Sequence, residues 1–412
     1  MEKKGKRYAP QQEPGGGEEI NLLKKKKTKK SKKKKSLVPK WVYKVSLILL
    51  AAVLVLVWWF NRESLTPENI SDWIQTRIVG MGVGDGYPVE VPGGESDVGN
   101  FLSVDGEAVL VSNTALTAWN STGKATMSVQ HSSNQPAVKE AGGRYLIYGV
   151  GETGYQINTH TRSLLSKDAE EKILTGAISA SGRYALVTQS EDYASRMTVY
   201  MADGSVQYEY DFSQTHITAV ALSADGVRGF AAGITAQDGG LVSVLYIFDF
   251  NQEEPVYTAV SADTLLLEAQ WGEDGKVCAV GDRKILWMDT NSGTTEEYDY
   301  DGATLEAYCL DGSRALLSLS SYAGSDACRV LEFRASSSPV TQLETSGDVT
   351  SVSLYGETLA VLSNKMVSAY SSETGESLGS CQAGSDARAI ALGNESMVYI
   401  LGVSEVRQGS FS

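Results

Sequence analysis

A glycine-containing turn recurs along most of the chain at intervals of 37 to 49 residues. Its clearest copy is ITAVALSADGVRGFAA (217–232), in which Asp225-Gly226 separates two apolar segments. Equivalent turns fall at Asp105-Gly106, Gly142-Gly143, Ser181-Gly182, Asp274-Gly275, Asp311-Gly312, Tyr355-Gly356 and Gly393-Asn394. Glycine suits these positions because tight hairpin turns need positive φ angles. The spacing therefore predicts a regular series of β-hairpins.

Each repeat has room for four strands, and the segment after the first turn is continuously apolar. Examples are AVLV (108–111), YLIY (145–148) and VCAV (277–280), as expected for strands buried on both faces. Four-stranded units with this period are typical of a β-propeller. Residues 87–412 hold eight such units, so the prediction is an all-β, eight-bladed propeller, with seven blades as the alternative. A two-sheet sandwich does not require the regular spacing.

The last repeat contains only three predicted strands, at 387–392, 397–403 and 405–411. The segment Tyr87–Val91 precedes the first complete repeat and has the character of a strand. We expect it to supply the fourth strand of the last blade, because this pairing joins the two ends of the ring and removes open sheet edges.

Charge divides the chain into two parts. The net charge of −14 combines a lysine-rich segment before the first long apolar run with a strongly acidic remainder. Residues 1–40 have few apolar side chains, so we expect a disordered tail. Residues 41–60, WVYKVSLILLAAVLVLVWWF, have the length and aromatic ends of a transmembrane helix. The positive-inside rule then predicts a cytoplasmic N-terminus and an extracytoplasmic C-terminal domain.

The segment 61–86 connects the predicted span to the propeller. Thr66-Pro67-Glu68 resembles a helix start, and the apolar residues that follow have helical spacing, which predicts an amphipathic helix at about 67–79. That helix either packs under the next domain or lies on the outer leaflet. A glycine-rich linker follows it. We expect the lysine tail to contact membrane lipid, and not nucleic acid, because no aromatic residue interleaves the lysines.

Three segments carry a resemblance to a known family: TPENISDWIQTRIVGMGVGDGYPVEV (66–91), ISASGRYALVTQSEDYASRMTVY (178–200) and GGLVSVLYIFDF (239–250). With them the chain resembles Gram-positive bacterial, membrane-anchored β-propeller proteins that share a domain of unknown function. The resemblance covers nearly everything after the span and implies a fold and a location, but no activity. The repeat shape is also similar to quinoprotein-like and WD40-like propellers. However, the characteristic tryptophan of the first and WD dipeptide of the second are missing, so neither function transfers.

Catalytic motifs are missing from the sequence. The three histidines, His131, His160 and His216, lie in different repeats at turn or surface positions without metal-ligand spacing. We interpret the four cysteines as small buried apolar residues. The sequence therefore predicts no cofactor, no metal and no catalytic residue. A carboxylate pair suited to hydrolysis could exist among the many acidic residues, so an extracytoplasmic hydrolase or cofactor-dependent enzyme is the alternative to a binding or scaffolding module.

The longer connections of the repeats all fall on one predicted face. They are His131–Pro136, Gln189–Ser195, Thr235–Gly240 and Ser320–Ala327. Binding residues often lie on loops held by a rigid scaffold. The hypothesis is a surface for a protein or cell-envelope ligand that uses Asp192, Tyr193, Asp238, Tyr322 and Asp326. The alternative is that these loops are only solvated.

Overall fold

The computed structural model describes Leu49 and residues 82–93, 96–237, 239–321 and 327–411. The predicted tail, the predicted helix at about 67–79 and the predicted span other than Leu49 lie outside these residues. Leu49 is helical and exposed. In the described part of the chain, no helix combines the length and apolar character needed to cross a membrane.

The described residues from 82 onward form eight four-stranded antiparallel sheets, which are the blades of a propeller. Blades 1 to 4 consist of β2 (Ser96–Val104), β3 (Glu107–Ser112), β4 (Ala115–Trp119) and β5 (Ala125–Gln130); β6 (Pro136–Ala141), β7 (Arg144–Gly149), β8 (Gly154–Thr159) and β9 (Ser163–Asp168); β10 (Ile173–Ile178), β11 (Tyr184–Thr188), β12 (Ser195–Tyr200) and β13 (Val206–Phe212); and β14 (His216–Leu222), β15 (Arg228–Gln237), β16 (Gly240–Asp249) and β17 (Tyr257–Ala262). Blades 5 to 8 consist of β18 (Leu266–Trp271), β19 (Lys276–Gly281), β20 (Lys284–Asp289) and β21 (Thr295–Asp299); β22 (Thr304–Asp311), β23 (Arg314–Ser320), β24 (Ala327–Arg334) and β25 (Pro339–Ser346); β26 (Val349–Tyr355), β27 (Thr358–Ser363), β28 (Met366–Ser371) and β29 (Ser377–Gln382); and β30 (Ala389–Asn394), β31 (Met397–Leu401), β32 (Glu405–Ser410) and β1 (Val89–Glu90).

The ring closes as the sequence predicts, with a shorter strand. Val89 pairs with Val406 and Glu90 with Glu405, so β1 is the outer strand of blade 8. The amide of Val91 adds a hydrogen bond to the Ser404 carbonyl at 2.9 Å. The N-terminal segment therefore completes the C-terminal sheet.

The apolar runs lie in the second strand of each blade and are buried on both faces, as predicted. All residues of 108–111, 145–148 and 277–280 are buried. The reason is that blades stack face to face, so a middle strand contacts both neighbouring sheets. The apolar core is correspondingly divided among the blade junctions: for example, Val199 of blade 3 and Phe248 of blade 4 share one cluster.

Polar contacts join five pairs of consecutive blades near the first turn of the repeat. The side chain at the start of the second strand reaches a turn of the following blade: Glu107 contacts His160, Arg228 contacts Thr290, Lys276 contacts Ala335, Arg314 contacts Gly356 and Thr358 contacts Glu395. The Lys276 Nζ donates to the Ala335 carbonyl at 2.7 Å. These contacts link each of these blades to the next and recur although the residue type varies.

Candidate functional site

The strand order gives the propeller two different faces. Turns between first and second strands and between third and fourth strands lie on one face, which we call the short-turn face. Connections between second and third strands, and between blades, lie on the other, which we call the loop face. The strands that flank the four connections predicted to be long place these connections on the loop face. The prediction of a long loop at Thr235–Gly240 is wrong, because β15 and β16 continue into it and pair as far as Gln237 and Gly240.

Two of the five residues predicted for binding lie in the described part of the chain. Asp192 and Tyr193 are in the β11–β12 loop, and both are exposed, Tyr193 by 41%. The amide of Ala194 donates to the Phe212 carbonyl at 2.9 Å and ties this loop to β13. Asp238, Tyr322 and Asp326 lie outside the described residues, so the five-residue surface stays a prediction.

A pocket of about 230 Å³ opens between blades 3 and 4 at the loop face. Its wall combines the end of β13, the β13–β14 connection and the facing strands of blade 4. The lining consists of Tyr210, Asp211, Phe212, Ser213, Gln214, Thr215, Thr235, Val244 and Tyr246. Thr235 on β15 lines the pocket, and Ala194 of the β11–β12 loop is hydrogen bonded to Phe212 in its wall.

Aromatic rings form the inner wall of this pocket. The Phe212 ring lies 4.9 Å from Tyr210 and 5.2 Å from Tyr246, both with edge-to-face geometry. The hydroxyls of Thr215 and Tyr246 are hydrogen bonded at 2.9 Å. Burial and the nearby charge of Glu254 raise the pKa of Tyr210, so its hydroxyl remains protonated at neutral pH. The sequence signal was the alternation in YEYDF (208–212), which places Tyr208, Tyr210 and Phe212 on one strand face.

The central channel is a second, larger cavity of about 2700 Å³, lined by the first strand of every blade. Inside it, Lys139 of blade 2 forms an ion pair with Glu268 of blade 5, three blades away around the ring. The Tyr308 hydroxyl of blade 6 donates to the same carboxylate at 3.1 Å. Burial is the largest single influence on the pKa of Lys139 and lowers it, but the charge and hydrogen bond of Glu268, together with Tyr148, outweigh burial and raise the lysine pKa. About a third of the Lys139 side chain is exposed to solvent, so water screens this ion pair. The ion pair nevertheless keeps Lys139 protonated.

Glu140 is the described channel carboxylate with a perturbed pKa. Burial raises the pKa of Glu140, although its hydrogen bond from the Gly143 amide, at 2.8 Å, acts in the opposite direction. The nearby charge of Asp105 adds to the increase. Among the described residues, no three His, Cys, Asp or Glu side chains are grouped to hold a metal ion.

His160 and the four cysteines are buried or half-buried. His160 lies in the β8–β9 turn, but its side chain is only 6% exposed, because its Nε2 contacts Glu107 at 2.7 Å in the tie between blades 1 and 2. Cys278 and Cys328 are buried, while Cys309 and Cys381 are half-buried, and all four are free thiols. Burial raises the pKa of Cys309 to about 11, which leaves little reactive thiolate.

The glycine-rich segment before β1 is attached to blade 1. The Gly84 amide donates to Thr122 Oγ1 at 2.9 Å, and the Gly86 amide donates to the Thr122 carbonyl at 3.0 Å. Asn120 Nδ2 donates to the Gly82 carbonyl at 2.9 Å. A Cβ at Gly84 would lie 2.3 Å from the Lys124 amide nitrogen, so only glycine fits. The chain thus enters the propeller at the β4–β5 turn, on the short-turn face.

The fold and its two cavities define a β-propeller, which is a rigid ring of sheets with loops on its faces and a channel at its centre. Within that class, the chain belongs to the family of unknown function DUF5711, whose model matches residues 89–405. No curated protein matches the sequence.

Solved structures with the same architecture include WD40 propellers. The C-terminal WD40 domain of Sif2 is 9% identical with a TM-score of 0.58, covering 80% of this chain and 99% of its own. Sqt1 of Saccharomyces cerevisiae is 11% identical with a TM-score of 0.55, covering 79% of this chain and 100% of its own. At these identities the likeness concerns the fold alone.

Proposed function

We propose that the protein is a membrane-anchored, extracytoplasmic binding module that holds a protein or cell-envelope ligand on the loop face of its propeller. The observation that carries the proposal is the pocket between blades 3 and 4, which opens on the loop face. Ala194, which follows Asp192 and Tyr193 in the chain, is hydrogen bonded to Phe212 in its wall. Rigid rings with variable loops are suited to binding, because the sheets fix the loop ends.

The path of the chain supports the choice of face. Residues 82–86 are bonded to the short-turn face, so the described linker leaves the loop face uncovered. The membrane attachment rests on the apolar run at 41–60 and on the lysines before it, which would contact anionic lipid headgroups.

The topology is tested by labelling intact cells with a membrane-impermeant maleimide. We expect Asp192→Cys in the exposed loop to react in intact cells, and Lys30→Cys in the tail to react only after permeabilisation. The native thiols provide a low background because they are buried or half-buried. Labelling of Lys30→Cys without permeabilisation contradicts the proposed orientation.

The binding face is tested by crosslinking the full-length protein in its native membrane and recovering bound partners. Tyr193→Ala is expected to reduce recovery. Tyr355→Ala is the matched control, because Tyr355 is equally exposed, 42% against 41%, but ends β26 on the short-turn face. Equal loss in both variants, or loss in the control alone, would contradict a loop-face site.

A further inference from the structure

The one charged side chain that lines the pocket between blades 3 and 4 is paired, and the carboxylate of Glu254 lies near Tyr210 without lining the pocket. Asp211 is its one charged lining residue, and Arg196 neutralises that carboxylate through two contacts, Nε to Oδ1 at 2.6 Å and Nη2 to Oδ2 at 3.1 Å. The pocket is therefore poorly suited to phosphates, because no lining side chain offers them a free positive charge.

Hydrogen-bonding groups at the rim are available to a ligand. The side chains of Ser213 and Gln214 are exposed and make no hydrogen bond with other described residues, and the same holds for the half-buried Thr235. These hydroxyl and amide groups both donate and accept, so they match ligand hydroxyls in either direction. The three residues come from two different blades, and they converge only because the blades are adjacent.

Aromatic surface lies beside these polar groups. Tyr210 and Tyr246 are half-buried and line the pocket, and Phe212 holds both rings in place from behind. Aromatic rings that retain a polar hydroxyl are suited to ligands with apolar C–H faces and polar edges. The cavity has room for roughly eight waters at about 30 Å³ each, the size of one small ring with its substituents.

We propose that this pocket binds a neutral sugar residue, with its C–H face against the tyrosines and its hydroxyls on Ser213, Gln214 and Thr235. Sugars combine apolar C–H faces with many hydroxyls and carry no charge, which is the combination that this wall provides. The proposal rests on the proposed function, because it names the ligand chemistry of the same face.

Ligand-observed NMR on the full-length protein tests the proposal. The probes are glucose, galactose, mannose and N-acetylglucosamine, with glucose 6-phosphate as the charged counterpart. We expect at least one neutral sugar to bind, and glucose 6-phosphate to bind no better than glucose. Gln214→Ala should weaken binding about three- to tenfold, the effect of one neutral hydrogen bond.

The ring is tested separately from the hydroxyl. Tyr210→Leu should reduce binding more than Tyr210→Phe, because leucine keeps apolar volume but loses the aromatic face. Gln382→Ala is the matched control, since Gln382 ends the fourth strand of blade 7 on the loop face, away from the pocket. Thermal unfolding of each variant identifies any that fails to fold.

Binding to none of the neutral sugars overturns the proposal, as does tighter binding of the phosphorylated sugar or equal weakening by Gln382→Ala. The proposed function is judged independently by the Tyr193 crosslinking comparison. If partner recovery depends on Tyr193 while no sugar binds, the sugar site is wrong and the binding module stands.

Discussion

A buried carboxylate between blades 6 and 7 gives the sharpest test of how this ring is held together. Glu332 on β24 is fully buried and accepts hydrogen bonds from Arg314 Nη2 at 2.9 Å, Arg334 Nε at 3.1 Å and the Ser372 hydroxyl. Glu357 is 54% exposed and contacts the same Arg334, at 2.6 Å. The two carboxylates therefore share a partner and differ in burial.

We expect Glu332→Gln to destabilise the protein by about 2–3 kcal/mol. Hydrogen bonds to a charged group contribute about 1.5–3 kcal/mol and neutral ones about 0.5–1.5, so each of the two arginine contacts weakens by about 1–1.5. Glu332→Ala should cost more than Glu332→Gln, because it removes the buried acceptor of both guanidinium groups and leaves a cavity in its place. Glu357→Gln should cost no more than about 1 kcal/mol, because water screens an exposed pair.

Urea unfolding followed by intrinsic fluorescence measures the difference. The midpoints of Glu332→Gln and Glu357→Gln are compared with that of the unaltered protein at neutral pH. If both substitutions shift the midpoint equally, burial does not control the strength of this network. If Glu332→Gln has no effect, the charge of this carboxylate does not strengthen its contacts with Arg314 and Arg334.

Three further outcomes are expected. Gly84→Ala should detach the linker from blade 1, because its Cβ would clash with the Lys124 amide, and faster proteolysis before β1 would detect this. Gly86→Ala is the control, because its Cβ has open space and the substitution strains only the backbone. Lys139→Met should destabilise the ring by leaving the Glu268 carboxylate unpaired in the channel, and the double variant with Glu268→Leu should recover the unfolding temperature; no recovery would contradict the pairing. Hydrogen bonds from the amides of the β20–β21 turn lower the pKa of Asp289, so its stabilisation is present above its ordinary pKa and is lost as pH falls through the folded value. Asp289→Asn should therefore reduce the loss of stability as pH falls below 3.8, the ordinary pKa of Asp289, and an unchanged pH profile would count against this contribution.

The hairpins and blade number could be predicted from sequence because local physics determines them. Asp105 and Gly106 both have positive φ, at 52° and 79°, as the predicted turn requires. Some turns differ in register by one residue: Asp311 still pairs with Arg314, so Gly312 and Ser313 form the two-residue loop. The strand that closes the ring was also predictable, because the incomplete last repeat needs one more strand and Tyr87–Val91 is a strand-like segment outside the other repeats.

The two cavities could not be predicted, because they depend on residues that periodicity does not relate. Tyr210 and Tyr246 meet only because blades 3 and 4 face each other, and no local pattern identifies which tyrosines will share a pocket. Lys139 and Glu268 lie 129 positions apart, and their contact requires all the intervening blades to have the correct angle. Repeat patterns therefore predict the strands but not the side chains that meet between or across blades.

One turn connects the closure of the ring with the attachment of the N-terminal segment. The Tyr87 hydroxyl donates to the Asn120 carbonyl at 2.9 Å, and Asn120 also binds the Gly82 carbonyl, so the β4–β5 turn holds both the linker and the start of the closing strand. β1 has only two paired residues, so contacts beside the strand pairing add to its stability, among them the packing of the Tyr87 ring 5.5 Å from that of Tyr399. A force transmitted along the linker would reach this turn before it reached β1. The β4–β5 turn of blade 1 therefore helps to hold β1, the short strand that completes blade 8.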